Sequence, residues 1–329
     1  MRREPFQTAL LRTTMLTSLL GAVYLSVGAG RAADMAPLLK APAYADPPAV
    51  DGLNGKVDAF GGTMANRSIY GSRGTVSIPL GGQLGAQLDG SVGSFDHSAF
   101  GNIGGHLFWR DPRQALLGVY VSHTHWDQFG GVHVSQVAAE GEYYWQRWTL
   151  QGVVGVEFGN SVSNDRIMRS LGPGGALGAP PAVATTTSFI EGFDVRTRLF
   201  DQINLKYYVT DNWDAYVGHR YLGGKNALAL GSEYAMPLGH GVMASGFLEG
   251  RVGEAQFHGI WGGLRFYFGG KDKPLMARHR QDDPNNWGVD SLFSIVNSYT
   301  TNNSGSSALV CNAGLTYSPL DGECLGGGL

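Results

Sequence analysis

Ser122-His123-Thr124-His125-Trp126-Asp127 is the stretch of this chain whose residue types and spacing come nearest to a reactive centre. Two imidazoles two positions apart on one strand face can share a metal ion, and a carboxylate at the end of the run can ligate it or orient a water. The run follows an apolar segment, Leu116–Val121, which would hold it on a strand. Against a metal-dependent hydrolase, Gln128 stands where a third histidine would continue the set, and no later ligand cluster completes it. The competing reading is a strand end, with His123 and His125 continuing the face of Leu117, Val119 and Val121 and with Trp126 at an interface. The other candidates are weaker. Gly172-Pro173-Gly174-Gly175 lacks the Lys-Ser/Thr of a phosphate cradle, no nucleophile elbow stands between a strand and a helix, and Glu140 and Glu142 share a strand face without a cleft to act in. The expectation is a protein that is not an enzyme and takes no cofactor.

The elements that would carry these residues are strands. The 329 residues include 50 glycines and only 16% charged residues, with a net charge of −3, a composition that opposes a helical enzyme and a nucleic-acid binder alike. From Gly55 to Phe268 the chain runs in segments of about ten residues with period-2 alternation, separated by Gly, Asn, Asp and Pro turns. In Gln83–Ser94, Leu84, Ala86, Leu88 and Val92 alternate with Gln83, Gln87, Asp89 and Ser91, and Arg147–Phe158 repeats the code. The alternation predicts twelve strands, near 55–65, 73–80, 82–95, 99–110, 114–126, 131–145, 147–159, 189–209, 213–222, 225–236, 242–252 and 256–268. No segment reaches spanning-helix length without glycine or charge, so membrane residence would be by a barrel.

One parity carries Val57, Leu88, Trp109, Tyr143, Trp145, Trp148, Val195 and Leu264 and would face lipid, with aromatics toward strand ends. The other carries both charges, and the expected lumen-lining residues are Asp89, His106, Glu140, Arg196, Arg198, Lys206, Glu249, Arg251 and Arg265. In a narrow barrel these would pair and fill the lumen; in a wider one they would line a weakly selective pore. Four short turns, Asp111-Pro112-Arg113, Gln146, Thr210-Asp211-Asn212 and Pro237–Gly241, would share the mouth opposite the long loop Asn160–Ser188.

Residues 1–32 read as a signal peptide: Arg2, Arg3 and Arg12 precede or flank an apolar run, Met15–Val27, that is too short for the ~20 residues of a spanning helix. Residues 33–54 read as a linker, 55–269 as the barrel, and 270–329 as a partly disordered C-terminal extension in the periplasm. Within that extension Trp287, Val289, Leu292, Phe293, Ile295 and Val296 form an apolar group able to make a short helix or dock on the barrel mouth. Cys311 and Cys324 are read as a local disulfide of an exported chain.

The Ala-Ala-Asp and Leu39-Lys40-Ala41-Pro42 run, the strand–turn–strand Lys206–Trp213, and Gly263-Leu264-Arg265-Phe266-Tyr267-Phe268 resemble the outer-membrane β-barrel and porin-like proteins of alphaproteobacteria. The resemblance spans most of residues 33–268 and implies an all-β, antiparallel, up-and-down transmembrane barrel in the Gram-negative outer membrane. It implies passive diffusion of small polar solutes or, alternatively, a non-conducting structural or adhesive role; an exported hydrolase using His123, His125 and Asp127 is a distant third. Its partners would be membrane lipid and small polar solutes.

Overall fold

The computed structural model describes residues 46–174, 176–312, 315–318 and 320–326, so the expected signal peptide and most of the linker lie outside the described residues. Fourteen consecutive strands come first: β1 (Asn54–Met64), β2 (Arg67–Gly81), β3 (Leu84–Phe95), β4 (Ser98–Asp111), β5 (Ala115–Trp126), β6 (Val132–Trp145), β7 (Trp148–Gly159), β8 (Ser161–Leu171), β9 (Ala182–Asp194), β10 (Arg198–Thr210), β11 (Trp213–Leu222), β12 (Lys225–Gly239), β13 (Val242–Gly253) and β14 (His258–Phe268). All but β8 and β9 close into one twelve-stranded antiparallel barrel, with β7 pairing directly to β10 and β14 pairing back to β1 from Gly55↔Phe268 to Met64↔Gly259. Closure removes both sheet edges, which is what a sheet in hydrocarbon requires.

The period-2 code does what alternation predicts. Along β6, Val134, Gln136, Ala138, Glu140, Glu142 and Tyr144 are buried, while Val137, Ala139, Tyr143 and Trp145 are exposed on the outer wall. Trp109, Tyr143, Trp145, Tyr207, Trp213 and Tyr234 gather on the outer wall near one mouth, an interfacial girdle. All four expected short turns lie at that mouth, together with the start of β1 and the end of β14. At the opposite mouth Ala65-Asn66 and Asp96-His97 make two-residue hairpins with φ of 52°, 61°, 49° and 65°, the positive pair that suits strongly twisted strands.

Two strand expectations are corrected. Parity is unbroken from Phe189 to Val209, but residues 195–197 interrupt it, and β9 leaves the barrel. The loop expected at Asn160–Ser188 instead folds as β8 and part of β9, a hairpin rising beyond the wall. Val195, expected to face lipid, is buried at the far mouth, where its side chain packs against Gly159 and the aromatic cluster there.

After β14 the chain forms α1 (Leu275–Gln281), a 3-10 turn over Gly288–Ser291, α2 (Leu292–Val296), β15 (Tyr299–Val310) and a small hairpin of β16 (Leu315–Ser318) and β17 (Glu323–Gly326). β15 adds to β9, from Tyr299↔Phe193 to Val310↔Ala182, and makes a three-stranded sheet with β8. Cys311 and Cys324 are joined by a disulfide that closes the hairpin.

Candidate functional site: a lumen filled by the chain's own tail

The tail does not lie outside the barrel. It enters at the short-turn mouth, runs the length of the lumen and leaves at the other end. At the entry, α1 lies across three turns: Leu275 N–H donates to Asn212 Oδ1 (3.0 Å), Arg278 Nη2 to the Gly241 carbonyl (2.7 Å) and Arg280 Nη2 to the Trp148 carbonyl (2.8 Å). Lys56 then pairs with Asp283, and Gln87 Nε2 donates to the Pro284 carbonyl at 3.2 Å. Farther in, Ser294 Oγ donates to Glu157 Oε2 (2.6 Å), Asn297 Nδ2 to the Leu222 carbonyl (3.1 Å), and Asp194 N–H to the Ser298 carbonyl (2.9 Å) at the exit.

Midway, Asp290 is the centre of the wall's charge network. It accepts from Arg220 Nε at 2.6 Å and from Arg251 Nη2 at 2.8 Å. Arg251 also reaches Glu249 (3.0 Å), Arg73 lies 3.5 Å from Glu249 and 2.8 Å from Asp58, and Arg265 bridges Asp58 (2.9 Å) and Glu233 (2.6 Å). The wall thus brings Arg73, Arg220, Arg251 and Arg265 against only Asp58, Glu233 and Glu249; the tail's Asp290 is the fourth carboxylate that balances them. An unbalanced buried charge is costly, so the wall is built for an anion at this place.

Of the expected lumen residues, Asp89, His106 and Glu140 come together, with His106 Nδ1 2.8 Å from Glu140 and Nε2 3.0 Å from Asp89. Trp287 Nε1 from the tail donates to the same Glu140 at 3.4 Å. Lys206, Glu249, Arg251 and Arg265 are inside as well. Arg198 sits at the far mouth, 3.8 Å from Glu157. Arg196 is corrected: it lies in the segment between β9 and β10, with a 76% exposed side chain paired to Asp194 outside the lumen. Sequence reasoning missed Arg220 and the whole tail contribution, Asp283, Asp290 and Ser294 foremost. The signal available for the tail was its apolar group, Trp287 to Val296, set in an otherwise polar stretch.

That group fills the half of the lumen near the exit. Trp287, Val289, Leu292, Phe293, Ile295 and Val296 pack with inward-facing Phe60, Ile69, Phe95, Phe100, Tyr120, Phe200, Phe247 and Trp261 in one cluster. Phe293 stacks on Phe257 with ring centroids 4.3 Å apart. Backbone and wall are fitted closely: a Cβ on Gly223, whose φ is +61°, would lie 2.5 Å from Asn297 Cβ. The polar cavity left beside the network is about 50 Å³, room for roughly three to five waters at ~10–15 Å³ each.

Among the described residues, one group of three could offer ligands to a metal: Asp214, Glu233 and His279. Its imidazole is already engaged, however. Tyr208 Oη (3.0 Å) and Lys206 Nζ (3.2 Å) face Nδ1, and Tyr267 Oη lies 3.0 Å from Nε2 while donating to Glu233. With an ammonium inside the group, these residues fit a hydrogen-bond network that seats α1 better than a cation site. His123, His125 and Asp127, the expected weak metal candidates, do not form such a group: the histidines are on the outer wall of β5 and Asp127 is in the turn beyond it.

No protein-family model matches the chain, and no curated protein matches its sequence. Among solved structures it is similar to the β domain of the Bordetella autotransporter BrkA, with 12% identity over 66% of this chain and 98% of that one at a TM-score of 0.37. It is likewise similar to an outer membrane channel from Pseudomonas putida F1, with 10% identity over 69% and 98% at 0.39. A third is the Acinetobacter baumannii outer membrane protein Omp33, with 11% identity over 66% and 97% at 0.31. All three are outer-membrane barrel proteins.

Proposed function

We propose that this protein is a closed outer-membrane anchor whose barrel holds its own C-terminal segment across the membrane and presents β15 and the disulfide hairpin at the surface. The observation that carries the reading is the occupied lumen: the tail balances the wall's charges at Asp290 and fills its apolar half with Leu292–Val296. Passive diffusion of small polar solutes would need a continuous wet path, and a cavity of about 50 Å³ is not one. The short-turn mouth, with its aromatic girdle, is assigned to the periplasm and the mouth bearing β8, β9 and β15 to the outside, following the short-turn and long-loop asymmetry of such barrels.

Planar-bilayer recording of the refolded full chain tests this. A silent protein that still migrates as a heat-modifiable folded barrel is the expected result; discrete openings would return the porin reading. Sidedness has its own test. A peptide tag inserted beside Leu320, which is 97% exposed, is expected to bind antibody on intact cells.

A further inference from the structure

One polar pair on the lipid-facing wall has no part in the anchor reading and is independent of it. His123 on β5 and Ser135 on β6 are direct cross-strand partners, and His123 Nδ1 lies 2.9 Å from Ser135 Oγ. In the tautomer that leaves Nδ1 free to accept, the serine hydroxyl donates to it, the arrangement of an activated nucleophile and its base. The next cross-strand pair is His125 and His133, and the His133 ring packs 5.2 Å from the His123 ring, supporting its orientation.

The pair opens onto a groove of about 390 Å³ on the outer wall, lined by Leu88, Ile103, Val121 and Val137. Its depth in the membrane follows from the strand. Ser135 and the girdle residue Trp145 lie ten positions apart on the same face of β6. At ~3.3 Å per residue and a tilt of ~45° this is about 23 Å along the normal, close to the ~25 Å apolar band of such barrels. Ser135 therefore stands at the interface opposite Trp145, where lipid ester groups lie, and the groove below it lies in the layer of acyl chains. What covers an apolar groove in that position is lipid.

We propose that Ser135 and His123 are a nucleophile–base pair that cleaves acyl esters of membrane lipid whose chain occupies this groove. Ser135 Oγ attacks the ester carbonyl while its proton passes to His123 Nδ1. The tetrahedral adduct collapses with loss of the lipid alkoxide, which takes that proton and departs as the alcohol. Water, deprotonated by His123, then adds to the acyl-serine, and collapse returns the proton to Ser135 Oγ and releases a fatty acid. No oxidant or reductant is needed.

The test uses the folded full chain in mixed micelles with either dioleoylphosphatidylcholine or lipid A, and measures released fatty acid; the two lipids separate a glycerophospholipid substrate from a glycolipid one. Release from either that falls at least about a hundredfold in both Ser135→Ala and His123→Phe is expected, the range a positioned base and nucleophile supply. Both variants alter the outer wall, and heat-modifiable migration verifies that they fold. No release by the folded chain from either lipid, or release that Ser135→Ala leaves unchanged, overturns the proposal.

Discussion

The two halves of the lumen hold the tail in different ways. Toward the short-turn mouth the wall is ionic, and Asp283 and Asp290 enter as counter-charges to Lys56, Arg220 and Arg251. Toward the far mouth the wall is aromatic and α2 enters as a core helix with all five residues buried. Burying a Val, Leu, Ile or Phe side chain is worth about 1.5–3 kcal/mol, whereas a buried ion pair roughly breaks even against an apolar replacement of its shape. The apolar half thus supplies most of the holding energy, and the ionic half fixes where along the axis the tail stops. A strand face that is apolar inside a barrel is informative for the same reason: a water-filled pore has no use for Phe60, Phe95, Phe100 and Trp261 pointing inward.

The sharpest way to break the comparison is to charge the apolar half. Phe293→Asp puts a carboxylate among Phe257, Trp261 and Leu222, and is expected to expel α2 and convert a silent barrel into one with discrete bilayer openings. If the variant stayed closed, the ionic half would be the real tether. Next, Asp290→Ala leaves Arg220 and Arg251 facing each other without their shared carboxylate. A loss of about 3–5 kcal/mol in tail docking is expected, read as protease accessibility of residues 285–298, with partial recovery on also changing Arg251→Met. Gly223→Ala should act more mildly, by about 1–3 kcal/mol, because φ of +61° and the close Asn297 disfavour a Cβ; hydrogen exchange in α2 would report it.

The smallest effect is expected at the ionic entrance. Burial pushes the Asp51 carboxyl up, but hydrogen bonds and charge from Lys271 and Lys273 outweigh it and hold Asp51 below its usual range. A lowered folded value stabilises above the unfolded one, near ~3.9, and that contribution is lost as the pH falls through the lowered value. Exchange protection of residues 46–53 should therefore be constant from pH 8 to about 5 and decline only in stronger acid. A decline already at pH 6 would mean that another group controls this clip.

Period-2 alternation, turn residues and the distribution of charge determined the barrel in the sequence itself: twelve strands, one greasy face, and four short turns at a common end. Each of these is a local property, because a side chain's parity is set by the backbone it stands on. The same locality explains the errors. Unbroken parity from Phe189 to Val209 could not reveal that 195–197 leave the wall, since β9 alternates just as a barrel strand does while pairing with β15. Asp89, His106, Glu140, Lys206, Glu249, Arg251 and Arg265 were legible as inward residues, yet not what they face. Asp290 meets Arg220 and Arg251 across 70 and 39 residues of chain, and His123 meets Ser135 across 12. Only tertiary structure decided these contacts, because alternation specifies which way a side chain points and closure of the barrel decides what waits there.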